Sequence, residues 1–236
     1  MYATVYGSPG VRVRFLGFAS IYGPFAIVLF LCGYFCHAAI PLGIPSWTAG
    51  ICLLLLVGAA WAASDRAARR FRNYLKGAQG EELVARELAL LPAGWTVFHG
   101  VPRIGFDARP GGSDYDHVVL GTGALFVVET KNWRGPVSIE GGTVCVRGIA
   151  VRRSPVTQVR REAIELSKRF RDILPEGFPV VGVVCFASNG LSKDREQIDM
   201  TPVCNVRALR DLLLASPTAS LSTDAKERLV QNLLNL

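Results

Sequence analysis

The 236-residue chain is expected to be an α/β protein, with an N-terminal transmembrane helical hairpin followed by a mixed β-sheet flanked by helices. Three observations carry that expectation. Mean hydropathy is +0.30, high for an ordinary soluble domain. The apolar excess is concentrated in two uncharged runs, 15–36 and 45–63. Beyond residue 77, apolar runs of strand length alternate with segments of helical spacing.

The two runs define the hairpin. A helix rises 1.5 Å per residue, so about 20 apolar residues cross a hydrocarbon core of about 30 Å, and only a helix satisfies its own backbone there. The first run, FLGFASIYGPFAIVLFLCGYFC, contains Pro24; the second is PSWTAGICLLLLVGAAWAA. The connection, roughly 37–44, holds His37, Pro41 and Gly43. A cleaved signal peptide fits less well, because the first run is long for an apolar signal core and the second would remain. Arg12 and Arg14 precede the first run; Arg66, Arg69, Arg70, Arg72 and Lys76 follow the second; the loop has no Lys or Arg. The positive-inside rule then predicts a multi-pass protein of the cell (inner) membrane, with both termini and the soluble domain cytoplasmic and the lipid bilayer as a partner. The expected domains are a membrane anchor over 1–76 and a soluble α/β domain over 77–236.

Charge and cysteine content narrow the function classes. Of 26 basic and 19 acidic residues, 1–76 hold seven basic and one acidic, so most of the +7 net charge is juxtamembrane. That placement suits anionic lipid, and net charge is therefore no argument for nucleic acid. Cys32, Cys36, Cys52, Cys145, Cys185 and Cys204 form no CxxC pair, which argues against zinc and for buried thiols in a reducing compartment.

Residues 64–76 read as a basic helix continuing the second run, with Gly77 and Gly80 loosening the backbone behind it. Residues 78–91 have helical apolar spacing, ended by Pro92. Strands are expected at 95–101, 115–120 and 124–130, with a small hairpin of 136–139 and 143–147 around Gly141-Gly142. Ser154-Pro155 opens a helix over about 155–173 as cap and first-turn proline. A buried strand at 179–186, a short one near 202–206, and helices over about 207–215 and 223–235 complete the domain.

The stretch 113–135, SDYDHVVLGTGALFVVETKNWRG, carries the chemistry. Two apolar strands meet at a Gly-Thr-Gly turn. Residues i and i+2 of a strand face the same way, so Glu129 and Lys131 project together behind ALFVV, beside Asp116 on the neighbouring strand. Two carboxylates can hold Mg²⁺, which polarises a phosphoryl oxygen and activates a bound water; an adjacent ammonium steadies the charge that develops. A surface ion pair at a strand end is the plain alternative.

GAQGEELVARELALL, then SDYDHVVLGTGALFVVETKNWRG, then SPVTQV resembles the nuclease-related domain (NERD), of the PD-(D/E)xK, restriction-endonuclease-like superfamily. The resemblance runs from about Gly77 to Lys168. It implies a restriction-endonuclease-like sheet, Asp116 and Glu129 as metal ligands for Mg²⁺ or Mn²⁺, and Lys131 as the catalytic lysine. It further implies that Glu81, in the Gly-x-x-Gly-Glu pattern, lies near the site, and that Gln158, in Pro-x-x-Gln, borders it. Each has a plainer reading: Glu81 as an acid favoured in a first helical turn, Gln158 as a solvated helix residue. His117 points away from Asp116 and suits packing. Asp114 is a candidate auxiliary ligand. Trp133 and Arg134 are candidate contacts for a nucleic-acid backbone or base, or equally covers for the sheet's edge, and Arg147, Arg152, Arg153, Arg160 and Arg161 form a candidate phosphate-binding patch. The expected function is metal-dependent hydrolysis of phosphodiester bonds in DNA, or RNA. The alternatives are a nucleic-acid-binding or scaffolding module that does not cleave, and a membrane adaptor acting through its C-terminal helices.

Overall fold

The computed structural model of the chain describes residues 2–39, 45–103, 114–188, 190–216 and 219–236. Pro41 and Gly43 of the expected connection, Ser113, and the side chains of Arg12, Arg14, Cys36, Arg69 and Arg70 lie outside the described residues. The chain divides into two compact units, Val11–Ala78 and Met1–Gly10 with Gln79–Leu236.

The first unit consists of helix α1, Val11–Ala39, and most of α2, Ser46–Ala89. Both apolar runs are helical, but the transmembrane hairpin is corrected: among the described residues no helix is long and apolar enough to cross a membrane. The multi-pass location in the inner membrane, with cytoplasmic termini, loses its ground with it. Each apolar run is one part of a longer helix, Val11–Ala39 or Ser46–Ala89, and not a helix to itself. Pro24 lies inside α1, and α2 runs on past Ala63 through Asp65, Arg66 and Arg72.

The second unit is mixed α/β. Its strands are β1 (Thr4–Tyr6), β2 (Thr96–Pro102), β3 (Asp114–Leu120), β4 (Leu125–Lys131), β5 (Val137–Glu140), β6 (Thr143–Val146), β7 (Ile149–Ala150), β8 (Val180–Phe186), β9 (Arg195–Ile198) and β10 (Thr201–Asn205). Its helices are α3 (Pro155–Arg169), α4 (Val206–Leu214) and α5 (Thr223–Leu234), with the C-terminal part of α2. Seven strands form one mixed sheet in the order β1-β2-β3-β4-β8-β10-β9, and β5-β6-β7 form a small antiparallel sheet. β2, β3 and β4 pair antiparallel in chain order. β4 and β8 pair parallel, which requires a long crossover; the small sheet and α3 supply it.

Strand periodicity gives the large sheet two buried faces. Val118, Leu120, Leu125, Val127, Val184 and Phe186 point towards the stripe Val156, Val159, Ala163 and Leu166 of α3. Val119, Phe126, Val128, Val183 and Cys185 point the other way, towards Val84 and Leu88 of α2 and Leu209 and Leu213 of α4. The approach of α3 is close: a Cβ on Gly182 of β8 would stand 2.9 Å from the Val159 carbonyl oxygen. α3 starts where expected, Ser154 Oγ accepting the Thr157 N–H at 3.4 Å and Pro155 opening the first turn.

Two expectations of local structure change. Gly77 and Gly80 do not break α2, which is continuous to Ala89. A Cβ on Gly80 would stand 2.6 Å from Asn132 Cβ, so the glycine serves close packing and not a bend. Secondly, β1 adds an edge strand from the extreme N-terminus, with Thr4, Val5 and Tyr6 opposite Thr96, Val97 and Phe98.

Candidate active site

The expected residues gather at one end of the large sheet. Asp116 shares a face of β3 with Asp114, Val118 and Leu120; Glu129 and Lys131 close β4 on that same face. Glu129 is 3% exposed. One of its oxygens, Oε1, pairs with Lys131 Nζ in a very short contact. Its other oxygen, Oε2, is buried and has no hydrogen-bond partner. Asp116 is half-buried, and its Oδ2 accepts the Thr130 backbone N–H at 2.8 Å, so the side chain of β3 is pinned to the backbone of β4.

α3 reaches the same place from above the sheet. Lys131 Nζ donates to Gln158 Oε1 at 3.3 Å, and Gln158 Nε2 donates to Glu162 Oε1 at 3.1 Å. Glu81, near the C-terminal part of α2, is half-buried and accepts the Gly10 backbone N–H at 2.9 Å. It is close enough for its charge to act on Asp116, Glu129, Asp114 and Lys131. All five site residues expected from the sequence, Asp116, Glu129, Lys131, Gln158 and Glu81, therefore belong to one electrostatic neighbourhood.

Burial and like charge shape that neighbourhood. Burial, then the charges of Glu129 and Glu81, push the Asp116 carboxyl well above the usual range, against the Thr130 N–H and Lys131. Burial raises Glu81 too, with Glu129 and Asp114 adding to it and the Gly10 N–H opposing. Burial alone would push Lys131 down, but Glu129, with help from Asp116 and Glu162, lifts it above its ordinary value, so the ammonium stays charged. Glu162 is raised from 4.5 to about 7, by burial first and the Glu129 charge second. Carboxylates packed this densely favour a proton or a cation among them. Among the described residues, no group of three or more His, Cys, Asp and Glu is arranged to hold a metal ion.

The sequence reading missed Glu162 and Arg103. Glu162 is fully buried. Its Oε1 also accepts Arg103 Nη1 at 3.1 Å, and Arg103 Nε and Nη2 both donate to Glu165. The signal was present: Glu162 lies three residues after Val159 and four before Leu166, which puts an acid inside the apolar stripe of α3.

The other candidates divide. His117 faces away from Asp116, and its Nδ1 meets Nδ1 of His99 at 2.7 Å in a buried pair. Trp133 lies tilted on Phe186 at 5.5 Å and covers the core. Arg160 is committed to the β9–β10 turn, donating to Thr201 Oγ1 at 2.7 Å and the Ile198 carbonyl at 3.0 Å. Arg161 pairs with Glu165 at 3.6 Å. Arg134, Arg147, Arg152 and Arg153 are exposed.

A nuclease-related domain, NERD, is found at residues 76–187, which takes in Glu81, Asp116, Glu129, Lys131, Gln158 and Glu162. Among curated proteins, the probable kinase PglW of Streptomyces coelicolor is 32% identical over 109 residues. That match covers 44% of this chain and 7% of the length of the relative. No solved structure matches.

Proposed function

We propose that the nuclease-related domain hydrolyses phosphodiester bonds in nucleic acid, with DNA the first choice and RNA the second, using Mg²⁺ or Mn²⁺ held by Asp116 and Glu129. The observation that carries this reading is the orphaned Oε2 of Glu129, a buried carboxylate oxygen with no hydrogen-bond partner. Leaving such an atom unsatisfied costs about 1–3 kcal/mol or more, and a hard cation relieves it. When bound, the cation would polarise the phosphoryl oxygen and acidify a water.

The chain's own residues divide the remaining work. Asp116 is held in register by the Thr130 N–H. Burial and the charges of Glu129 and Glu81 raise its pKa, so positive charge beside it would favour its ionised form. Lys131 keeps its ammonium charged and offers it to the attacking water or to the charge developing on phosphorus. Gln158 holds Lys131 from the side of α3. Glu81 adds negative charge at the rim and strengthens the demand for a cation. The exposed Arg134, Arg147, Arg152 and Arg153 would take the phosphate backbone.

Mn²⁺ titration by calorimetry, run beside plasmid and RNA cleavage, tests the reading. Binding and cleavage by the wild type, both lost in Glu129→Gln, are expected; wild type that binds no Mn²⁺ sinks it. A second reading, nucleic-acid binding without cleavage, is favoured by the lack of a three-ligand metal group among the described residues. Retained DNA binding, unchanged in Glu129→Gln and with no metal-dependent cleavage, would select that reading.

A further inference from the structure

Glu162 follows Gln158 by one helical turn, so the two side chains lie on one face of α3. It is fully buried in the stripe of Val156, Val159, Ala163 and Leu166. An acid in such a place is costly unless it is held. It is held on one oxygen only: Oε1 accepts Gln158 Nε2 and Arg103 Nη1, both at 3.1 Å, and Oε2 has no partner. Arg103, following the last residue of β2, is tied in turn to Glu165 one turn further along α3. This bracing fixes the Glu162 carboxylate against the sheet.

The consequence reaches Lys131. An amide side chain has one donating and one accepting end. With the Gln158 NH₂ fixed on a carboxylate, its carbonyl has to face the ammonium of Lys131, which donates to it at 3.3 Å. We propose that Glu162 is a positioning residue for Lys131: braced by Arg103, it locks the Gln158 amide so that the carbonyl end holds the ammonium beside Glu129. The inference rests on the reading of Lys131 as the assisting lysine, but its test does not require cleavage. A merely structural acid, present as the partner of Arg103, would leave Gln158 and Lys131 free to adjust on their own.

The test uses the full-length chain labelled with ¹⁵N at about pH 8, above the value of about 7 to which the Glu162 carboxyl is raised, so that it is ionised. The side-chain NH₂ pair of Gln158 and the ammonium of Lys131 are assigned by their loss in Gln158→Ala and Lys131→Ala. In the wild type both signals are expected to be protected from solvent exchange. Glu162→Met keeps length and apolar packing but removes the acceptor; both signals should then lose their protection. Glu162→Gln keeps a neutral acceptor, so both should persist, exchanging about ten-fold faster, as expected when a charge-assisted bond becomes a neutral one. Persistence of either signal unchanged in a folded Glu162→Met protein overturns the proposal. Should that variant not fold, exchange rates in Glu162→Gln equal to those of the wild type overturn it. A chain that shows these signals and cleaves nothing would count against the proposed function alone. Cleavage with Lys131 indifferent to residue 162 would count against this inference alone.

Discussion

Replacing Glu162 by Gln should flatten the dependence of stability on pH between about 4.5 and about 8. In the folded chain, burial and the Glu129 charge raise this carboxyl from 4.5 to about 7. The native state therefore holds the proton over a range in which the unfolded chain has released it. The sign follows: the contribution is fully present below pH 4.5 and is lost as pH rises through about 7. A shift of that size, at 1.36 kcal/mol per unit, is worth up to about 3 kcal/mol. Glutamine has the same shape and cannot titrate, so the stability difference between wild type and variant should change by that amount across the window. Urea unfolding of both proteins, read on the amide signals of β4 at half-unit intervals of pH, would measure it. Asp116 and Glu81 are raised in the same direction, but they are common to both proteins and cancel in the difference. Parallel curves would refute the reasoning, for they would mean that Glu162 is ionised throughout and its cost met by Arg103.

Four further outcomes can be checked. Lys131→Ala should reduce metal-dependent cleavage by about 10²–10³-fold in a plasmid-nicking assay while leaving Mn²⁺ binding in place, the loss typical of one preorganised stabilising group. Mn²⁺ at a hundred times its dissociation constant should stabilise the wild type by about 2.7 kcal/mol, and chelation should remove that gain; Asp116→Asn should show neither effect. His99 is lowered by burial to about 4, so the stability tied to keeping it neutral is present above its ordinary 6.5 and is lost as pH falls through about 4. Acid unfolding of His99→Asn, followed by circular dichroism, should be less steep than that of the wild type. Gly182→Ala should destabilise the chain by about 1–3 kcal/mol, because its Cβ would stand 2.9 Å from the backbone oxygen of Val159 and α3 would have to retreat.

How much of this was legible depends on the range of the physics involved. Asp116, Glu129 and Lys131 could be placed on one face because strand periodicity is local and absolute: one residue either way and they would face α2. The start of α3 was equally readable, since Ser154 and Pro155 act within one turn. Glu162 was passed over because the helix was recognised from its start at Ser154-Pro155, while the acid set in its apolar stripe meets Arg103, distant in sequence. β1 could not be read: three residues have too little pattern to announce a strand, and its pairing with β2 is supplied by tertiary structure. The expected membrane spans followed from hydropathy averaged along a run. Among the described residues no helix is long and apolar enough to cross a membrane, and α2 carries its run on into charged sequence.

The N-terminal strand also bears on the order of folding. β1 lies at the edge of the sheet and pairs only with β2, and the Gly10 N–H that follows it seeks Glu81, 71 positions away. Neither contact can form until the chain between has been made, whereas the hydrogen bonds of α1 and α2 are local and available at once. Non-local closure is slow, and its entropic cost is recovered only when the partner surface exists. β1 is thus a late arrival, docking on a meander already assembled. Until it does, the outer edge of β2 stays unpaired and Glu81 lacks the backbone partner that orients it, so completion of the site's rim waits on a partner 71 positions away in sequence.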